Sequence, residues 1–164
     1  MNMQIQRFSF ESLKARTDGL SQVLLKAVNS PSLTYPEICK VDHQGLYIIF
    51  DDKEILYVGK TNRTGRVRMR EVGSDFRSHT FNKKLLAIRF RDLGFVFEVL
   101  KKETKKQWIK EGIISIEDFK AHQKEVNLHI KRSLKFKFHE EQDEQKLICL
   151  EHFSIAIFNP VHND

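Results

Sequence analysis

Two cysteines, Cys39 and Cys149, are too few for a disulfide framework, which sets aside the small secreted scaffolds. Long apolar runs are missing too. The longest, such as Leu46 to Phe50, fall far short of the roughly 20 residues of a membrane span. The stretch Met1 to Phe10 mixes Gln, Arg and Ser with Phe and holds no apolar signal core. A cytoplasmic location without membrane contact is therefore the default expectation. No internal repeat and no low-complexity tract breaks the chain. The seven histidines lack tight zinc-ligand spacing, so His122, His129, His139 and His152 read as surface groups or satisfied hydrogen-bond partners. Cys149 sits in an apolar helical stretch and reads as core, while Cys39, next to Lys40, reads either way.

With 40% hydrophobic residues, 164 positions suffice for one compact domain with a real core. They leave room for an N-terminal extension over 1–40 ahead of a main domain over 41–164. Lys and Arg number 28 against 22 Asp and Glu, a formal charge of +6. An excess of that sign suits a polyanionic partner, because cations displace the counterions condensed on nucleic acid. Alone it is a weak pointer, since many basic proteins bind no nucleic acid.

Residues 9–29 carry Leu13, Leu20, Val23, Leu24 and Val28 near helical spacing, with Ser9 as a cap and Thr17-Asp18-Gly19 expected to divide the run. Pro31 and Pro36 mark a loop. Gly45-Leu46-Tyr47-Ile48-Ile49-Phe50 reads as a buried strand, and Ile55-Leu56-Tyr57-Val58-Gly59 as its return, an antiparallel hairpin. A short helix is expected over Arg66 to Val72, and a second from a cap near Ser74-Asp75 through Phe81, Leu85, Leu86 and Ile88. Phe95 to Leu100 reads as a strand, Ile116 to Val126 as a helix, and Leu134 to Phe138 alternates like a half-buried strand. The acidic run Glu140 to Glu144 opens a last helix carrying Leu147, Leu150, Phe153, Ile157 and Phe158, which stops before Pro160. The expected fold is α/β of the α+β type, with a small, mostly antiparallel central sheet flanked by helices.

Gly45-Leu46-Tyr47 followed by Tyr57-Val58-Gly59 resembles the paired tripeptides of the GIY-YIG nuclease superfamily. An arginine-rich helix, Glu151 in a late helix, and Pro160-x-x-Asn163 follow in the family's order, so the resemblance spans Gly45 to Asn163. It implies a DNA endonuclease, of standalone or restriction type, in which Tyr47 is the general base and Tyr57 orients the nucleophile or phosphate. The family's helix arginine matches Arg68 best, with Arg66 and Arg70 as alternatives.

The residues support the same chemistry. Phosphodiester hydrolysis needs an activated water and charge stabilisation on a crowded phosphorane. A phenol is a poor base unless positive charge favours the phenolate, and Lys60, Arg66, Arg68 and Arg70 are the cations expected to provide it. Glu151, with apolar Leu147, Ile148 and Ile155 around it, is the candidate hard-oxygen ligand for Mg²⁺ or Mn²⁺. Gly59 is expected to let the chain pass close to the substrate. Val72 stands where family members often carry His or Tyr, and His79 could supply that group from the next helix. The stretch 101–126 looks like an insertion, with Lys101, Lys102, Lys105 and Lys106 as candidate DNA contacts and Trp108 stacking on a base or simply packing. Cutting both strands with one such site would call for a homodimer on DNA. The rival expectation is a catalytically inactive nucleic-acid-binding module of the same fold.

Overall fold

The computed structural model describes residues 9–163. The first eight residues of the expected extension, and most of the stretch checked for a signal core, lie outside them. The fold is α+β. Among the described residues the order is α1 (Phe10–Asn29), α2 (Tyr35–Ile38), β1 (Gly45–Phe50), β2 (Ile55–Thr61), α3 (Gly65–Val72), α4 (Thr80–Asp92), α5 (Lys102–Lys110), α6 (Ile116–Ser133), β3 (Lys135–Glu140) and α7 (Glu144–Phe158). No helix among these residues is long and apolar enough to cross a membrane.

The sheet runs β2-β1-β3, antiparallel throughout, so the hairpin strand β1 is central. Its side chains alternate between two cores, as the period of a strand dictates. Tyr47 and Ile49 enter the larger core with Met69, Phe81, Phe90, Phe119 and Phe136. Leu46 and Ile48 enter the smaller one, which α1 and α7 close with Leu24, Ala27, Leu147 and Leu150. The C-terminal half of α1 is thus packed on the domain. Opposite Ile49 and Phe50 the register slips, because Phe50 pairs with Ile55 and Ile49 with Tyr57. The extra residue, Leu56, is a bulge whose side chain joins the larger core beside Tyr57.

Five expectations require correction. Gly19 does not divide the first helix, which runs unbroken for 20 residues from a Ser9 cap; the propensity cost of one glycine is offset by the packing of Leu20, Val23, Leu24, Ala27 and Val28 after it. Asp75 does not open α4. His79 does, five residues after Ser74, and Asp75 instead binds Arg77. Phe95 to Leu100 forms no strand, because the aromatics there pack individually: Phe95 and Phe97 lie 4.9 and 5.1 Å from the Trp108 ring, while Val96 is 95% exposed. Cys149 is exposed, since the buried face of α7 is Leu147, Leu150 and Ser154. Trp108 is only 6% exposed and packs on Phe90, so base stacking is excluded for it and packing is its role.

Two substitutions check this packing. Nothing lies within contact of a Cβ placed on Gly19, so Gly19→Ala should raise stability by up to about 1 kcal/mol in urea denaturation. Trp108→Ala should cost about 3–5 kcal/mol. A loss on the first or near-neutrality of the second would contradict the packing.

Candidate active site

The hairpin geometry explains why a glycine follows the second tyrosine at two residues' distance. Tyr47 pairs directly with Gly59, and Tyr57 is its diagonal neighbour on the same face. The Tyr47 ring therefore lies across Gly59 and against Tyr57, with centroids 6.2 Å apart and planes inclined by 21°. A Cβ at position 59 would collide with the Tyr47 phenol. Gly59 is there to make room for a tyrosine, not for substrate as the sequence suggested.

His79 completes the aromatic corner. As the N-cap of α4 its Nδ1 accepts the Phe81 amide hydrogen at 3.1 Å. The neutral ring must then carry its proton on Nε2, which lies 2.8 Å from the Tyr47 hydroxyl and donates to it. Burial, reinforced by the nearby Arg68 charge and opposed by Glu71, lowers the His79 pKa to about 4. The imidazole is neutral at physiological pH and holds one fixed tautomer.

Tyr47 is buried, and its pKa lies well above that of a free phenol. Burial is the largest cause, followed by Tyr57; Arg68 opposes them, while Glu151 and Glu71 add to the rise. Tyr57 is raised by burial and by Glu151, again against Arg68. The expectation that Lys60 and three arginines would lower the phenol is therefore corrected: Arg68 pulls alone, and desolvation wins.

Arg68 is the arginine of α3 that lines the cleft, whereas Arg66 and Arg70 are exposed away from it. Its Nη1 donates to Glu71 at 3.0 Å, and Arg63 meets the same carboxylate oxygen at 2.7 Å. The i,i+3 spacing of Arg68 and Glu71 was a readable signal for this pair. Arg68 Nε is buried without any partner. A buried unsatisfied donor on a cation is costly, and an anion oxygen is its natural complement.

Glu151 reaches the site from α7. Its Oε1 accepts the Lys60 amide hydrogen at 2.9 Å, on the β2 edge facing away from β1. Asn163 covers the next stretch of that edge, its side chain bonding both the Val58 N–H at 2.7 Å and the Val58 carbonyl at 2.6 Å. Asn163 thus pins the strand and stays outside the cleft. The cleft, about 290 Å³, is lined by Tyr47, Tyr57, Lys60, Arg68, His79 and Glu151, with Ser78 and Thr80, which sequence reasoning missed. No group of three or more His, Cys, Asp or Glu able to hold a metal occurs among the described residues. The donor set fits Mg²⁺ or Mn²⁺ through the Glu151 carboxylate, since Mg²⁺ keeps several waters and accepts one or two carboxylates. Of the insertion lysines, Lys101 and Lys102 line a neighbouring cleft. Lys105 sits over the Phe119 ring at 4.4 Å, and Lys106 lines no cleft with them.

Protein-family models, curated proteins and solved structures give no match to this chain.

The buried neutral imidazole makes a prediction about acid stability. Unfolded, His79 would titrate near about 6.5; folded, it does so at about 4. The unfolded chain gains this proton first, so stability should fall from pH 6.5 down to about pH 4 by an amount approaching 3 kcal/mol, and level off below. His79→Gln should lack this loss in urea titrations across the window. Parallel pH profiles for the two proteins would contradict the assignment.

Proposed function

We propose that the chain is a metal-dependent DNA endonuclease of the GIY-YIG type. The reading rests on one convergence: two hairpin phenols, an arginine with an orphaned buried N–H, and a lone carboxylate line a single cleft. These groups come from β1, β2, α3 and α7, and α4 adds the imidazole beside them.

Each has a task in hydrolysing a phosphodiester. Arg68, held by Glu71, lines the cleft and stabilises the charge that builds on a phosphate there. Lys60 lines the same cleft and adds a second positive charge. His79 donates to the Tyr47 oxygen, which favours the phenolate and orients the remaining lone pairs for a water proton. Tyr57, stacked on Tyr47, positions the nucleophile or the phosphate. Glu151 is the residue that would hold Mg²⁺ or Mn²⁺, a cation that supplies charge neutralisation at the phosphate and lowers the pKa of bound water. Tyr47, raised when only Arg68 offsets the burial, is an effective base once further positive charge enters the cleft.

The basic composition and the site both favour DNA as partner. Sequence-specific, restriction-type cutting is the narrower form of the proposal, with the insertion between β2 and β3 as the element that could read bases. Action as a homodimer would let one site per subunit cut both strands. The second reading, an inactive nucleic-acid-binding module, is favoured by the absence of His or Tyr at the buried Val72. His79 answers that objection by bringing an imidazole to the tyrosine from another helix.

Nicking of supercoiled plasmid with Mg²⁺ tests the proposal. Tyr47→Phe and Glu151→Ala should each lower the rate by roughly 10²–10⁴-fold, and Arg68→Ala by a similar factor. Equal rates in wild type and variants would overturn it. Salt-dependent DNA binding without any metal-dependent product would transfer the reading to the inactive module.

A further inference from the structure

A second cleft, of about 270 Å³, shares the wall Ser78-His79-Thr80 with the candidate active site. Its rim carries Arg77, Lys83, Lys101 and Lys102, drawn from the turn before α4, from α4, and from the start of α5. Arg77 is compensated, since its guanidinium grips Asp75 at 2.8 and 3.1 Å. The three lysines are different: among the described residues no acidic side chain stands within ion-pair distance of any of them.

Several lysines elsewhere on the surface are engaged. Lys135 pairs with Asp52, Lys146 faces Asp143, Lys137 bonds the Ser30 carbonyl, and Lys105 lies on Phe119. A merely solvated basic face would spread its charges. Here three sequence-distant or adjacent lysines border one depression, where their mutual repulsion is relieved only by an anion. The exposed hydroxyls of Ser78 and Thr80 stand on the shared wall as further donors. Past Thr80 and Lys83 the surface continues into a third depression, where Lys84 and Arg91 stand with Glu98 among aliphatic side chains. The cleft of the three lysines has no acidic side chain in its lining, which fits a phosphate anion and not an apolar ligand.

We propose that the Lys83, Lys101 and Lys102 cleft is a second phosphate subsite, taking backbone phosphates that flank the scissile one on the same strand of DNA. This inference rests on the nuclease reading and gives its substrate a path: from the Glu151 and Arg68 cleft, across Ser78 and Thr80, to the lysines. It also gives α5 a function that Trp108, buried beneath it, makes possible by fixing the helix on the core.

The test compares two triple variants that remove equal charge. One is Lys83→Gln with Lys101→Gln and Lys102→Gln; the other is Lys110→Gln with Lys120→Gln and Lys124→Gln, all exposed and away from the cleft. Binding to a fluorescein-labelled short DNA duplex is followed by anisotropy over a salt series, in the Glu151→Gln background, with circular dichroism confirming the fold. The cleft variant should lose about 10–100-fold in affinity and flatten the slope of log K against log salt by about 2 to 3, while the control stays within about threefold. Equal losses in both would overturn the subsite. The nuclease reading is judged separately: plasmid nicking by Glu151→Gln at the wild-type rate would remove it, and the binding comparison would still decide whether the lysines form the track.

Discussion

A single hydrogen bond, from the Lys60 amide to Glu151, ties the carboxylate of α7 to the hairpin that carries the two phenols. β2 is an edge strand, and the outward N–H and C=O groups of an edge must find partners or invite pairing with another chain. Residues from α7 and from the segment after it cover this one. Glu151 takes the Lys60 amide, Asn163 takes both polar groups of Val58, and the amide of His162 bonds the Leu56 carbonyl. The same requirement that protects the edge therefore carries a carboxylate from the end of the chain to the mouth of the hairpin. One carboxylate oxygen is committed to the strand, which holds the group still for a ligand.

The hairpin contributes the opposite electrostatic character. Tyr47 and His79 are buried and neutral, and each is held so by desolvation first. Arg68 is the cation that acts on both, lowering each one. In the proposed nuclease this poises the site: phenol and imidazole form a fixed hydrogen-bonded pair, Arg68 has one donor still unmatched, and the charge balance waits on substrate and cation. A phosphate bound in the cleft would meet the Arg68 side chain that lines it. Preorganisation of this kind is what electrostatic catalysis requires.

Much of this was legible in the sequence, and the failures have physical reasons. The hairpin could be read because β-branched and aromatic residues crowd Leu46 to Phe50 and return after a polar turn, and its antiparallel pairing followed from the short separation of the two runs. Glu151 could be read because apolar neighbours at helical spacing put it beside the core. Arg68, as distinct from Arg66 and Arg70, needed the helix phase that three dimensions supply. His79 was hard to weigh because its importance comes from an N-cap, and the nearby Ser74-Asp75 offered a better-looking cap. Phe95 to Leu100 has strand composition but no sheet edge within reach, so tertiary packing on Trp108 decided its shape. The bulge that puts Leu56 into the larger core beside Tyr57 leaves no trace in composition at all.

Paramagnetic broadening by Mn²⁺ in amide NMR spectra tests the central claim most directly, because it reports where a hard cation settles without requiring turnover. Broadening should centre on the amides of Val58 to Thr61 and of α7 around Glu151, extend to His79, and vanish in Glu151→Gln. Broadening centred instead on the acidic run from Glu140 to Glu144, or unchanged by Glu151→Gln, would contradict the account.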